Sequence, residues 1–188
     1  VILFDFPGNH TDEVLKIILK IAEERVIDYL VFPSTTGDTA RKISRFGIGK
    51  DIKPIIVTHH IGFNIDGEDE MAAGVRERLR KMNIPVLTTT HLFAGLDRAF
   101  RKQFGGIYPA EIVAMTLRMF SEGIKVAVEI AVMAADAGLV PVNIPIISTG
   151  GTDRYIDSAV VIKPSNSPNF FSTRILEILC MPRPVKKK

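Results

Sequence analysis

Short apolar runs that suit a buried strand alternate with stretches of helical periodicity along almost the whole chain, and no other feature narrows the fold as far. The strand-like segments are residues 1–6, 28–33, 53–58, 84–88, 144–149, 159–163 and 175–181. Between them the spacing predicts a helix over 11–24, with Val14, Leu15, Ile18 and Ile21 along one side. Further helices are predicted over 38–46, 68–82, 91–105, 109–121 and 123–137, with Pro109 at a first helical position and Glu111 in that helix's first turn. Repeated β–α–β order implies a mostly parallel sheet with helices on both faces, a three-layer α/β/α fold.

Length and composition agree with one such domain spanning residues 1–188. A hydrophobic content of 46% argues for a well-buried core rather than disorder. The formal charge of +3 equals the contribution of Lys186, Lys187 and Lys188, in a stretch 184–188 that reads as a solvated tail. The folded body is therefore near neutral, and no nucleic-acid partner is expected. Cys180 is the only cysteine, so no internal disulfide can form, and its neighbours Ile178, Leu179 and Met181 mark it as a buried small hydrophobe. The most apolar long stretch, residues 123–147, is broken by Lys125, Glu129, Asp136, Pro141 and Pro145, which excludes a membrane span there. The chain reads as soluble and cytoplasmic, and its apolar surplus points to a homodimer or larger assembly.

The chemistry collects after the strands. In Tyr29-Leu-Val-Phe-Pro-Ser-Thr-Thr-Gly-Asp-Thr-Ala40 an apolar strand ends in hydroxyls and a glycine, and a helix follows at once. That order converges backbone N–H groups and the positive end of a helix dipole, as a phosphate requires; it is equally what an ordinary capped βα turn looks like. His10, His59, His60 and His91 also follow strands, as do Gly8, Gly37, Gly62, Gly95, Gly150 and Gly151. In an open α/β sheet such loops share the rim at the carboxyl ends of the strands, where small molecules bind. Metal binding is not expected, because no His-x-x-x-His pair exists and no second cysteine supports one. The helix over 123–137 carries Lys125, Glu129, Met133 and Asp136 on one stripe; it reads either as a face toward solvent or an oligomer contact, or as Glu129 beside the cleft. Arg98, Arg101 and Lys102 are either an anion-holding group or a solvated helix face.

Three segments together resemble the C-terminal domain of pyruvate kinase: residues 31–46 with the Ser/Thr-Gly loop, the following Lys53-Pro-Ile-Ile-Val-Thr58, and Ala134-Ala-Asp-Ala-Gly-Leu139 with Ile146-Ile-Ser-Thr-Gly-Gly151. In pyruvate kinase those loops grip the phosphates of an allosteric sugar bisphosphate, and the catalytic barrel is separate, so phosphoryl transfer is not expected of these residues. Phe6-Pro-Gly8, Val57-Thr-His-His-Ile-Gly-Phe63, His91-Leu-Phe-Ala-Gly95 and Cys180-Met-Pro-Arg183 carry a closer likeness, to a family of stand-alone prokaryotic proteins built on this domain. That resemblance implies a flavin mononucleotide (FMN) site. It puts the phosphate on Ser34, Thr35, Thr36, Gly37 and Thr39, with Gly150, Gly151 and Thr152 closing the crevice. Thr58, His59, Phe63, His91 and Gly95 would then meet the ring system or ribityl chain. Asp38 is expected to point away from the ligand, toward the helix or toward Arg41 or Arg45. Two functional classes remain open: a binding protein that senses flavin or a sugar phosphate, and a flavin-dependent oxidoreductase using His59, His91 or Glu129 for proton transfer. No catalytic set is identifiable.

Overall fold

A computed structural model of the chain describes residues 1–47, 49, 51–152 and 154–183. The tail expected over 184–188 lies outside the described residues. Seven strands form one sheet: β1 (Ile2–Phe4), β2 (Tyr29–Pro33), β3 (Lys53–Val57), β4 (Val86–Leu87), β5 (Ile146–Gly150), β6 (Ser158–Lys163) and β7 (Arg174–Pro182). Their spatial order is β1-β7-β6-β5-β2-β3-β4. The helices are α1 (Thr11–Arg25), α2 (Asp38–Phe46), α3 (Ala73–Lys81), α4 (Gly95–Phe104), α5 (Pro109–Arg118) and α6 (Glu122–Asp136), with a 3-10 turn at Ser167–Ser172.

The central strands are apolar at successive positions because both of their faces are covered. Leu30, Phe32, Ile56, Ile147 and Val161 join a core cluster with Val14, Leu15 and Ile18 of α1, Ile43 of α2 and Leu79 of α3. Their neighbours Val31, Ile55, Val57, Ile146, Val160 and Ile162 join a second cluster with α5 and α6. The period-two alternation of the strand thus sorts side chains between two cores. α6 is the most enclosed helix: twelve of its residues are buried, and Ser121 caps it by accepting the Ile124 N–H at 3.0 Å.

Parallel pairing joins β2 to β3, β3 to β4, β2 to β5 and β1 to β7, so the sheet is mostly parallel. β6 runs against both of its neighbours, which departs from uniform β–α–β winding. The reason is length, since residues 151–157 are too few for the dozen or so that a parallel crossover needs. The helix expected over 68–82 starts only at Ala73, because Asp69 takes the Met71 N–H at 2.9 Å and holds Arg76, tying the preceding residues into a loop. The fourth strand shrinks to Val86–Leu87 at the sheet edge.

Strand order runs outward from β2 to β3 and β4 on one side, and from β5 toward β6 on the other. The switch point lies between β2 and β5. A crevice opens there at the carboxyl ends of the strands.

Candidate functional site

A cavity of about 460 Å³ occupies that rim, lined by the loops after β2, β3 and β5, the start of α2 and one face of α6. Its first wall begins where β2 ends. Ser34 donates its N–H to Val57 O at 2.9 Å, and its hydroxyl accepts the Ala40 N–H at 3.3 Å, so a buried side chain fixes the loop to the first turn of α2. The foremost N–H groups of that helix have no acceptor within it. Ser34, Thr35, Thr36 and Thr39 all line the cavity, as do Gly151, Arg154 and Tyr155 across the crevice.

Asp38 lines the same wall. The Thr36 hydroxyl donates to it at 2.8 Å, and the Arg41 guanidinium bonds its other oxygen. These donors, helped by the charges of Arg41 and Arg154, hold its carboxyl below the usual range against a modest cost of burial. Asp38 meets Arg41 as the sequence led one to expect, but it does not point away from the crevice: it is part of the cavity wall, where Thr36 and Arg41 bond its carboxylate.

The second wall is aromatic. His59 donates from Nδ1 to Glu70 Oε2 at 2.8 Å, while Asn64 donates to the other Glu70 oxygen at 2.7 Å. The His59 ring stacks on Phe63 at 3.8 Å, and His91 meets His59 edge-on at 5.6 Å. Thr58, buried beneath them, shares a 2.6 Å hydrogen bond with Thr88. His91 donates from Nε2 to the Thr58 carbonyl at 3.3 Å. Burial pushes the His91 pKa below its ordinary value, with His59 and Lys125 adding to the effect and Glu129 opposing it. The ring is therefore neutral at neutral pH, with its proton on Nε2.

The floor comes from α6. Lys125 and Glu129 are nearly buried at the cavity rather than open on an outer face. Lys125 Nζ donates to Glu129 Oε2 at 2.5 Å, and the other Glu129 oxygen accepts the Phe93 N–H at 2.9 Å, both side chains being buried. Arg98 reaches the cavity with its guanidinium 5.5 Å from the Phe63 centroid, whereas Arg101 pairs with Glu111 at 2.8 Å. The lining carries Arg98, Arg118, Lys125 and Arg154 against Asp38, Glu70, Glu122 and Glu129. The charges of the lining therefore balance, and its net charge favours neither an anion nor a cation.

Nine of the thirteen residues that the resemblance assigned to the ligand come together in this lining: Ser34, Thr35, Thr36, Thr39, Thr58, His59, Phe63, His91 and Gly151. Four do not line it. Gly37 takes φ +92° to start α2, and a Cβ there would run into Val75 of α3. Gly95 opens α4 beside Thr90. Gly150 packs beneath α6, and the Thr152 hydroxyl donates to the buried Asp157 at 3.0 Å. His10 also stands apart, stacked on Phe4 at 4.1 Å. Residues that sequence reasoning missed are Asn64, Glu70, Arg118, Glu122, Arg154 and Tyr155. Arg154 and Tyr155 follow the Gly151 turn closely enough to have been found, while Glu70 reaches His59 only through the fold of the loop between them.

Among the described residues no group of three or more His, Cys, Asp or Glu is placed to hold a metal, and no helix is long and apolar enough to cross a membrane. Residues 12–162, well over half of the chain, match the family model described as pyruvate kinase, alpha/beta domain.

Proposed function

Because the chain belongs to the pyruvate kinase alpha/beta domain family, we propose that it is a binding protein for a phosphate-bearing small molecule, FMN, held at the carboxyl ends of the strands. The observation that carries this reading is that the hydroxyl loop at the start of α2 and the His59–Phe63–His91 wall open into one cavity. A phosphate would be met by the loop N–H groups, Thr35, Thr39 and Arg154; a flat ring would be met by the imidazoles and Phe63. At about 460 Å³ the cavity lies within the range of small-molecule sites. The reading takes the two core clusters as the helix layers of a three-layer α/β/α domain. It also groups the chain with the stand-alone, FMN-binding relatives of pyruvate kinase, as a cytoplasmic protein.

A second reading, flavin-dependent oxidation and reduction, is favoured by one observation. Glu70 holds the Nδ1–H of His59, which leaves Nε2 as the nitrogen that can accept or return a proton at the cavity wall. Bound FMN would supply electron or hydride exchange, and His59 would hold the proton. Titration of the purified protein with FMN, followed by flavin fluorescence, tests the first reading: saturable quenching at micromolar concentration is expected. Absence of binding, with a rise in Tm on adding a sugar bisphosphate instead, would reassign the cavity to a sugar-phosphate sensor. Anaerobic bleaching of the bound flavin by a reduced nicotinamide would favour the enzyme.

A further inference from the structure

Arg98, Arg118 and Lys125 belong to two cavities at once. They line the crevice at the strand ends, and they also line a second cavity of about 630 Å³ between α4 and α5. Balance across the first lining does not mean that each of these charges is matched. Arg118 is bonded to Glu122 at 2.5 Å, and Lys125 to Glu129 at 2.5 Å. Arg101, on the wall of the second cavity, is bonded to Glu111 at 2.8 Å. Asp97, the neighbour of Arg98 in sequence, accepts the Ala110 N–H at 3.0 Å instead. Among the described residues the half-buried Arg98 is left without a carboxylate, and the Phe63 ring lies 5.5 Å from its guanidinium. Away from these cations the second cavity is largely apolar. Ile107, Ile112, Met115 and Met119 line it, each more than half exposed, together with the buried Phe93 and Ala114.

An unmatched guanidinium beside an apolar trough defines an occupant by charge and by shape. A single cation without a counter-ion calls for one negative charge, and the planar fork of arginine matches a carboxylate through two parallel bonds. Isoleucine walls favour hydrocarbon, and methionine adapts to its outline. We propose that the α4–α5 cavity binds an organic acid with an apolar body, its carboxylate on Arg98 and its chain along Ile112, Met115 and Met119. More highly charged ligands fit less well, because Arg118 and Lys125 are already neutralised by Glu122 and Glu129. Since Arg98 also lies against Phe63, the polar end of the acid sits at the boundary with the first cavity. The site stands on these side chains and does not require FMN to bind.

Isothermal titration of the full chain with butanoate, hexanoate and octanoate tests this. Octanoate should bind, with affinity rising about 2–4-fold per methylene along the series. Octanol, of the same length but uncharged, should bind at least about 10-fold more weakly, and Arg98→Gln should weaken octanoate by roughly 10–100-fold. Ile112→Ser, at a position 57% exposed, should weaken octanoate by about 3–10-fold with an unchanged circular dichroism spectrum. Arg154→Ala, at the far end of the first cavity, should leave octanoate affinity as in wild type, which separates failure of this site from failure of the FMN site. Equal affinity for octanoate and octanol, no gain with chain length, or an Arg98→Gln protein that binds like wild type overturns the assignment. So does an absence of octanoate binding; sedimentation as a dimer, or capture by anionic vesicles, would then put a second copy or a bilayer on this face.

Discussion

Gly150 ends β5 directly beneath the first turn of α6, and replacing it with alanine tests the packing on which the cavity floor stands. A Cβ at this position would overlap the Gly123 carbonyl oxygen and lie 2.8 Å from both Gly123 C and Ala127 N. These are backbone atoms, so no rotamer change relieves the clash. The backbone torsion of Gly150 is outside the left-handed region, which leaves close approach as the whole reason for glycine. Carbon meets other heavy atoms comfortably at about 3.5 Å, so the start of α6 must lift off the strand by at least about 1 Å. Twelve residues of α6 are buried, and the shift therefore runs through the whole second core cluster. Overpacking ordinarily costs about 1–3 kcal/mol; with backbone as the obstacle we expect about 3 kcal/mol or more. Urea unfolding of wild type and Gly150→Ala measures the loss. Gly74→Ala is the control: nothing lies within 4 Å of its Cβ position in α3, and a gain of up to about 1 kcal/mol is expected. A Gly150→Ala protein within about 1 kcal/mol of wild type, below the usual overpacking range, would refute the close helix–strand contact.

Glu129→Ala should cost about 3–5 kcal/mol, since it strands the buried Lys125 ammonium, and pairing it with Lys125→Met should restore much of the loss. Urea denaturation of the two variants checks this; a double variant as unstable as the single one would contradict it. The depressed His91 pKa gives stability that is complete above the ordinary value of 6.5 and is lost as pH falls, because the unfolded chain takes up the proton first. Tm of the wild type should therefore drop further on acidification than that of His91→Asn, and equal slopes would count against a buried neutral ring. Burial pushes the Cys180 thiol up to about 12, so its labelling by iodoacetamide at mildly alkaline pH should occur only through global unfolding. Fast labelling under native conditions would show otherwise.

The α/β fold with its mostly parallel sheet was legible because β2, β3 and β5 are short continuous apolar runs, and because α1 repeats Val14, Leu15 and Ile18 at helical spacing. The reversal at β6 could also have been read, since the short link after Gly151 leaves no room for a crossover helix. Ser34, Thr39, His59 and His91 line the cavity because each comes shortly after a strand, and strand ends share a rim. The same logic sets Gly37 and Gly150 at the ligand, yet a Cβ on them would meet Val75 and α6: a glycine marks close approach without saying to what. Lys125 and Glu129 were harder, since one helical stripe serves solvent, an interface or a cavity floor equally well. Only the position of α6 across β2 and β5 decides. Glu70 carried no local signal at all.

The central claim is that a phosphate is held where α2 begins, opposite Arg154. Isothermal titration with FMN and with riboflavin, which differ only in that group, tests it most directly. FMN should bind about 10–100-fold more tightly, the worth of one or two charge-assisted hydrogen bonds, and Arg154→Ala should narrow the ratio. Equal affinities for the two flavins, or a ratio that Arg154→Ala leaves untouched, would contradict the site described.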